Sequence, residues 1–146
     1  MKKLAYIFFT FLLTINAFAE TYRTVNDGFW TDANVWLDNQ IPNNVNWGDT
    51  IIIDNRIEVD QNLNFYDIVF IVTNNGVLCS NYYSLNFNGY STIFNNGYIA
   101  MRYIQVGPGS VFHNNGTVRT EQITESHSKK EPDGEYIDNG STIIEQ

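Results

Sequence analysis

Short apolar runs recur along the chain between small polar clusters. Residues 50–53, 70–72, 77–79, 85–87, 98–101 and 103–106 are rich in β-branched and aromatic side chains, which predicts strands. None of these runs is long enough to carry the apolar stripe of a helix. The clusters between them share one pattern: Ile53-Asp54-Asn55, Thr73-Asn74-Asn75-Gly76, Phe94-Asn95-Asn96-Gly97, His113-Asn114-Asn115-Gly116 and Ile137-Asp138-Asn139-Gly140. Their second polar residues, Asn55, Asn75, Asn96, Asn115 and Asn139, are spaced by 20, 21, 19 and 24 residues. Three positions before each stands a large apolar residue: Ile52, Val72, Ile93, Phe112 or Tyr136. Asn followed by Gly reads as a turn, since both tolerate positive φ.

An Asn-Gly turn also fits an antiparallel hairpin. In a meander, however, successive turns alternate between the two ends of the sheet and need not resemble each other. One signature returning at one interval is what a solenoid requires, with each repeat a full coil and the turns stacked on one corner. The predicted fold is all-β: a short right-handed parallel β-helix of four to five coils. Equivalent residues of neighbouring rungs then lie about 4.8 Å apart, so Asn55, Asn75, Asn96, Asn115 and Asn139 are expected to form an asparagine ladder of amide-to-amide hydrogen bonds.

The stretch before the first coil has another character, with Trp30, Trp36, Trp47 and Pro42. Residues 20–49 are predicted to cap the amino-terminal end, and residues 50–146 to form the coils. The 24-residue interval is explained by a charged loop at residues 125–135. The sequence stops seven residues after Asn139 without a recognisable cap, so end-to-end association of copies is an expectation.

Residues 1–19 read as a secretory signal peptide: Lys2 and Lys3 precede an apolar run closing on Ala17-Phe18-Ala19. Removing them takes away two lysines and no acid, so the net charge goes from −8 to −10. That surface repels phosphate backbones and anionic lipid, which argues against nucleic-acid and membrane-surface partners. No later segment approaches the ~18 apolar residues of a membrane span. The expected location is secreted, whether extracellular, periplasmic or at the cell surface. With 146 residues, 43% apolar and 16% charged, the chain holds one small core and not a multidomain enzyme. Its single cysteine, Cys79, has no disulfide partner within the chain and reads as a small strand hydrophobe.

The series Trp30…Trp36…Ile41-Pro42…Gly48-Asp49-Thr50-Ile51-Ile52-Ile53…Ile57-Glu58-Val59-Asp60, followed by Asn-Gly coils, resembles the opening of secreted right-handed parallel β-helix (pectate-lyase-like) proteins of Gram-negative bacteria. The resemblance implies either a large-adhesin type of surface protein or a carbohydrate-active enzyme. For catalysis the candidates are Glu58 and Asp60, two apart on one strand, with Arg102 and Arg119 on later coils. Solvated charges on the outer face are the competing reading of the same four residues. For binding, the candidates are Tyr82, Tyr83, Tyr90, Tyr98 and Tyr103, whose exposed members could stack on sugar rings or contact a protein. His113 and His127 form no metal-ligand spacing, and no nucleotide, phosphate or calcium motif is present, so no metal or cofactor is implied. The expected function is a structural or adhesive binding module for an extracellular polysaccharide, matrix or surface protein. The alternative is a reduced polysaccharide lyase or glycoside hydrolase.

Overall fold

A computed structural model describes residues 18–127 and 133–145. The leader assigned to residues 1–19 lies outside them except for Phe18 and Ala19, as does the middle of the charged loop. The chain winds as a parallel β-solenoid with three sides. The first side stacks β1 (Thr21–Arg23), β3 (Thr50–Ile53), β6 (Val69–Val72), β9 (Thr92–Asn95), β12 (Val111–Asn114) and β15 (Glu135–Asp138). The second stacks β2 (Gly28–Phe29), β4 (Arg56–Glu58), β7 (Val77–Cys79), β10 (Tyr98–Ala100), β13 (Thr117–Thr120) and β16 (Ser141–Ile144). The third holds β5 (Leu63–Tyr66), β8 (Ser84–Asn88), β11 (Tyr103–Val106) and β14 (Gln122–Glu125). Every pairing between these strands is parallel. Among the described residues, four turns carry a strand on all three sides.

Alternation along each strand sends every second residue inward, and parallel stacking turns those residues into columns. Ile51, Phe70, Ile93, Phe112 and Tyr136 form one such column on the first side. Ile57, Leu78, Ile99 and Val118 form another on the second side, and Phe65, Phe87 and Val106 one on the third. Rings meet across the interior, with centroids of Phe65 and Phe70 at 5.6 Å, Phe70 and Phe87 at 5.3 Å, and Phe87 and Phe112 at 6.2 Å. A narrow coil is filled by such rings with little else.

The register differs from the sequence repeat in two places. The strands pair Ile51 with Phe70 and Phe70 with Ile93, so Ile52 faces outward and Val72 lies opposite Asn95. In the first cluster, which lacks the glycine, Ile53 and not Asp54 takes the place of Asn95; the second difference has its cause in the corner. Four residues, 73–76, join β6 to β7, whereas two join β3 to β4, β9 to β10, and β12 to β13. The second coil absorbs the extra pair in its turn.

The ladder is displaced accordingly. The asparagine ladder expected at Asn55, Asn75, Asn96, Asn115 and Asn139 is built instead by the preceding polar residue of the last three clusters. Asn95 Nδ2 donates to Asn114 Oδ1 at 2.8 Å, and Asn114 Nδ2 donates to Asp138 Oδ1 at 2.8 Å. Asn95 and Asn114 point inward at the end of their strands and are fully buried. Of the expected set, Asn115 donates to Asn96 at 3.1 Å, but on the exposed side of the corner. Asn55 accepts from the Thr24 hydroxyl, while Asn75 and Asn139 are exposed. The alternation decides this, because only one of two adjacent polar residues can point into the coil.

The glycines after these asparagines are not the positive-φ residues of the fold. A Cβ on Gly116 would lie 2.2 Å from the Gly97 carbonyl oxygen of the rung below, so the requirement there is close backbone approach. Positive φ occurs instead at the opposite corner, between the third and first sides, at Gly48, Asp67, Gly89 and Gly109.

Trp30 and Trp36 are buried over the first coil in an edge-to-face pair with centroids 4.8 Å apart, and Trp36 Nε1 donates to the Trp30 carbonyl at 2.9 Å. A short 3-10 turn, Ala33–Val35, is capped by Asp32, whose side chain accepts from Asn34 N–H. The cap is tied to the coil by Asp49, a buried side chain accepting from the backbone N–H of Glu20 at 2.8 Å and of Asn46 at 2.6 Å. Burial, with the Glu20 carboxylate beside it, pushes the Tyr22 hydroxyl up to about 12.

At the other end β14, β15 and β16 each present an unpaired edge. There two apolar inward positions become polar, Val106 being followed by Glu125 and Val118 by Thr142, while Phe112 is followed by Tyr136 and Ile104 by Ile123. Ser126 and Gly134, which flank the middle of the predicted charged loop, are joined by a 3.0 Å backbone hydrogen bond. No helix among the described residues is long and apolar enough to cross a membrane.

Candidate functional site

The corner between the third and first sides turns through a residue of positive φ at Gly48, Asp67, Gly89 and Gly109, and beside each of the first three an aromatic side chain projects outward. Gly48 N–H donates to the Asp67 carbonyl at 2.8 Å, and Asp67 N–H to the Asn88 carbonyl at 3.3 Å, so the turns stack in register. Trp47 precedes the first, Tyr66 the second, and Tyr90 follows the third, Gly89. Their relative exposures are 81, 63 and 60%, which makes them three of the largest apolar surfaces offered to solvent. Together with Asp67, Asn88, Gly89 and Pro108 they line one open cleft of about 540 Å³. Tyr90 is fixed there by its backbone N–H, which donates to Asp67 Oδ1 at 2.8 Å. A Cβ on Gly89 would lie 2.5 Å from that same oxygen, so glycine is needed for the carboxylate to reach across.

A second cleft of about 450 Å³ adjoins it at Tyr66, which lines both. It lies where β5, the first strand of the third side, has no neighbour on its amino-terminal edge. Asn43 and Asn44 of the cap face Gln61, Asn62 and Asn64 across it. Trp30 also contributes to the lining, and its Nε1 is buried without an acceptor.

The five tyrosines proposed from sequence are spread over the molecule. Tyr82 is exposed and Tyr83 packs against the core, both beside the corner between the second and third sides. Tyr98 faces outward on β10 and Tyr103 on β11, where the Arg102 guanidinium sits 4.8 Å from its ring centroid. Only Tyr90 belongs to the aromatic shelf. Trp47 and Tyr66 are not among the candidates, because the candidates are the tyrosines crowded into residues 82–103, while Trp47 falls in the stretch assigned to the cap and Tyr66 a coil earlier. The available signal was an aromatic immediately before a turn residue, as in Trp47-Gly48 and Tyr66-Asp67.

Of the catalytic candidates, Arg102 and Arg119 line one pocket together with Glu121 and Glu145, and Glu58 and Asp60 do not join them there. Glu58 pairs with Cys79, Cys79 with Ala100 and Ala100 with Arg119, so Glu58 and Arg119 are three rungs apart, about 14 Å. Arg119 Nε donates to Glu145 at 2.7 Å and Arg102 to Glu121 at 3.4 Å. Asp60 sits at the following corner, where Oδ2 accepts the Thr31 hydroxyl and Oδ1 is buried without a partner. His113 stacks on Phe94 at 5.0 Å, and His127 pairs with Asp133 at 3.0 Å. Burial raises the Cys79 thiol, which does not favour a reactive thiolate. Among the described residues no three His, Cys, Asp or Glu side chains group as metal ligands.

Exposed aromatic faces flanked by a carboxylate and amides can stack on the apolar face of a sugar ring and hydrogen-bond its hydroxyls. No protein-family model, curated protein or solved structure matches the chain.

Proposed function

We propose that the protein is a secreted structural or adhesive binding module that holds an extracellular carbohydrate chain on the Trp47–Tyr66–Tyr90 shelf. The single observation that carries this reading is the convergence of three exposed rings on one corner of the solenoid. Exposed apolar area of this kind, rimmed by polar groups, is characteristic of contact surfaces. The turns that carry the rings stack on successive rungs, about 4.8 Å apart along the backbone ladder. Stacking on a rigid platform loses little conformational entropy.

The reading also agrees with the resemblance to adhesin-like β-helix proteins, and with the wide separation of Glu58 from Arg119. Trp47 provides the assay, because Trp30 and Trp36 are buried and Trp47 is not. A glycan panel titrated against the protein should quench or blue-shift the Trp47 emission. Trp47→Ala and Tyr90→Ala should each weaken the bound glycan by about tenfold while leaving the far-ultraviolet circular dichroism unchanged. Unaltered emission and no retained glycan across the panel would defeat the proposal.

A further inference from the structure

We infer that the ligand of this shelf is a neutral polysaccharide whose chain continues past Tyr66 into the amide-lined cleft beside β5. The inference rests on the carbohydrate reading above and adds the class and the path of the ligand.

Charge decides the class. The protein has net charge −8, and the shelf contains the Asp67 carboxylate. None of the four described arginines lines either cleft. Arg23 is paired with Asp54, Arg102 with Glu121 and Arg119 with Glu145, while Arg56 lies on β4 of the second side. A polyuronate carries a carboxylate on each sugar and would bring a row of like charges to within a Debye length, about 8 Å at physiological salt, of an uncompensated acid. A neutral chain meets no such opposition.

The amides give the path. Asn43, Asn44 and Gln61 each carry both a donor and an acceptor on one side chain, the combination that pairs with sugar hydroxyls, which also do both. Asn62 and Asn64, whose oxygens accept from Ser84 N–H and Asn86 Nδ2, add amide donors. The cleft they line is free of charged side chains. Trp30 closes the floor of the same cleft as a buried ring. Tyr66 stands on both clefts, so a single extended ligand can stack on the shelf and hydrogen-bond beyond it.

The test uses the intact protein, with calorimetry and tryptophan emission as readouts. Neutral di- and hexasaccharides of xylan, cellulose and mannan are compared with oligogalacturonates and oligoalginates of equal length, at low and high salt. A neutral hexasaccharide should bind about tenfold more tightly than its disaccharide and than any uronate, with little salt dependence. The double variant Asn43→Ala/Gln61→Ala should reduce the advantage of the longer chain. Tighter, salt-sensitive uronate binding overturns the neutral class and leaves the carbohydrate reading standing. Equal affinity for short and long neutral chains overturns the path through the cleft. Failure of every saccharide overturns this inference together with the carbohydrate reading.

Discussion

Asn114 and Asn115 are chemically identical neighbours with opposite roles. The Asn114 amide is fully buried, accepting from Asn95 and from Gly116 N–H and donating to Asp138 and to the Ser141 carbonyl. Asn115 is exposed and makes one side-chain contact, to Asn96. Removing a buried amide strands its partners as well as losing its own bonds. Asn114→Ala should therefore cost about 2–3 kcal/mol in chemical denaturation, against about 0.5 kcal/mol or less for Asn115→Ala. Similar costs for the two would contradict the ladder position. The doublet itself is plain in the sequence. Which member faces inward is not, because that depends on the phase of the strand before it, and two branched apolar residues such as Ile52 and Ile53 leave the phase open.

At the scale of the strand, the interval of about twenty residues between like clusters specifies parallel stacking, and the three-sided cross-section follows from strands of two to five residues separated by corners. The two-residue insertion in the second coil is hidden, since 73–76 reads like its neighbours with a glycine at the end. The shelf was hidden for a related reason: its side chains come from three turns that share backbone conformation but not residue type. The last strands are where carboxylates replace apolar or amide residues in the stacked columns, at the open and solvent-exposed end. The Asp138 carboxyl lies below its free value of 3.8 chiefly because it accepts from the Thr142 hydroxyl, with further help from the Asn114 amide and Gly140 N–H. A depressed folded-state value adds stability that is present above the free value and disappears as pH falls through the lower one. Hydrogen-exchange protection over residues 135–144, corrected for the intrinsic slowing of exchange in acid, should accordingly fall below about pH 4, ahead of that of the central strands. Asp138→Asn keeps an acceptor for Asn114 and should flatten that acid response; an unchanged response would assign it to other groups.

The molecule as a whole is a stack with unlike ends. At one, two buried tryptophans and Pro42 cover the first coil; at the other, open edges are accompanied by Glu121, Glu125, Glu135, Asp138 and Glu145. Acidic side chains at an open edge oppose indiscriminate strand addition, which offsets the exposure of unpaired backbone. The fastening of the capped end has a further consequence. Asp49 is a buried acid whose recorded partners are uncharged backbone groups, and one of them is the nitrogen of Glu20. A polypeptide beginning at Glu20, as cleavage after Ala19 would produce, presents an ammonium at that point in place of an amide. Proteolytic maturation would thereby convert a neutral tether into an internal ion pair, next to the Glu20 carboxylate and the Tyr22 hydroxyl. The shortened form should be more stable than one carrying an extra residue before Glu20 by about 1–2 kcal/mol at pH 7. A free terminal amine titrates near 7.8, and this one would be raised by its partner, so the advantage is complete below about pH 7 and fades toward pH 10. Thermal unfolding of both forms across that range, repeated with Asp49→Asn to erase the difference, would reveal whether export also locks the fold.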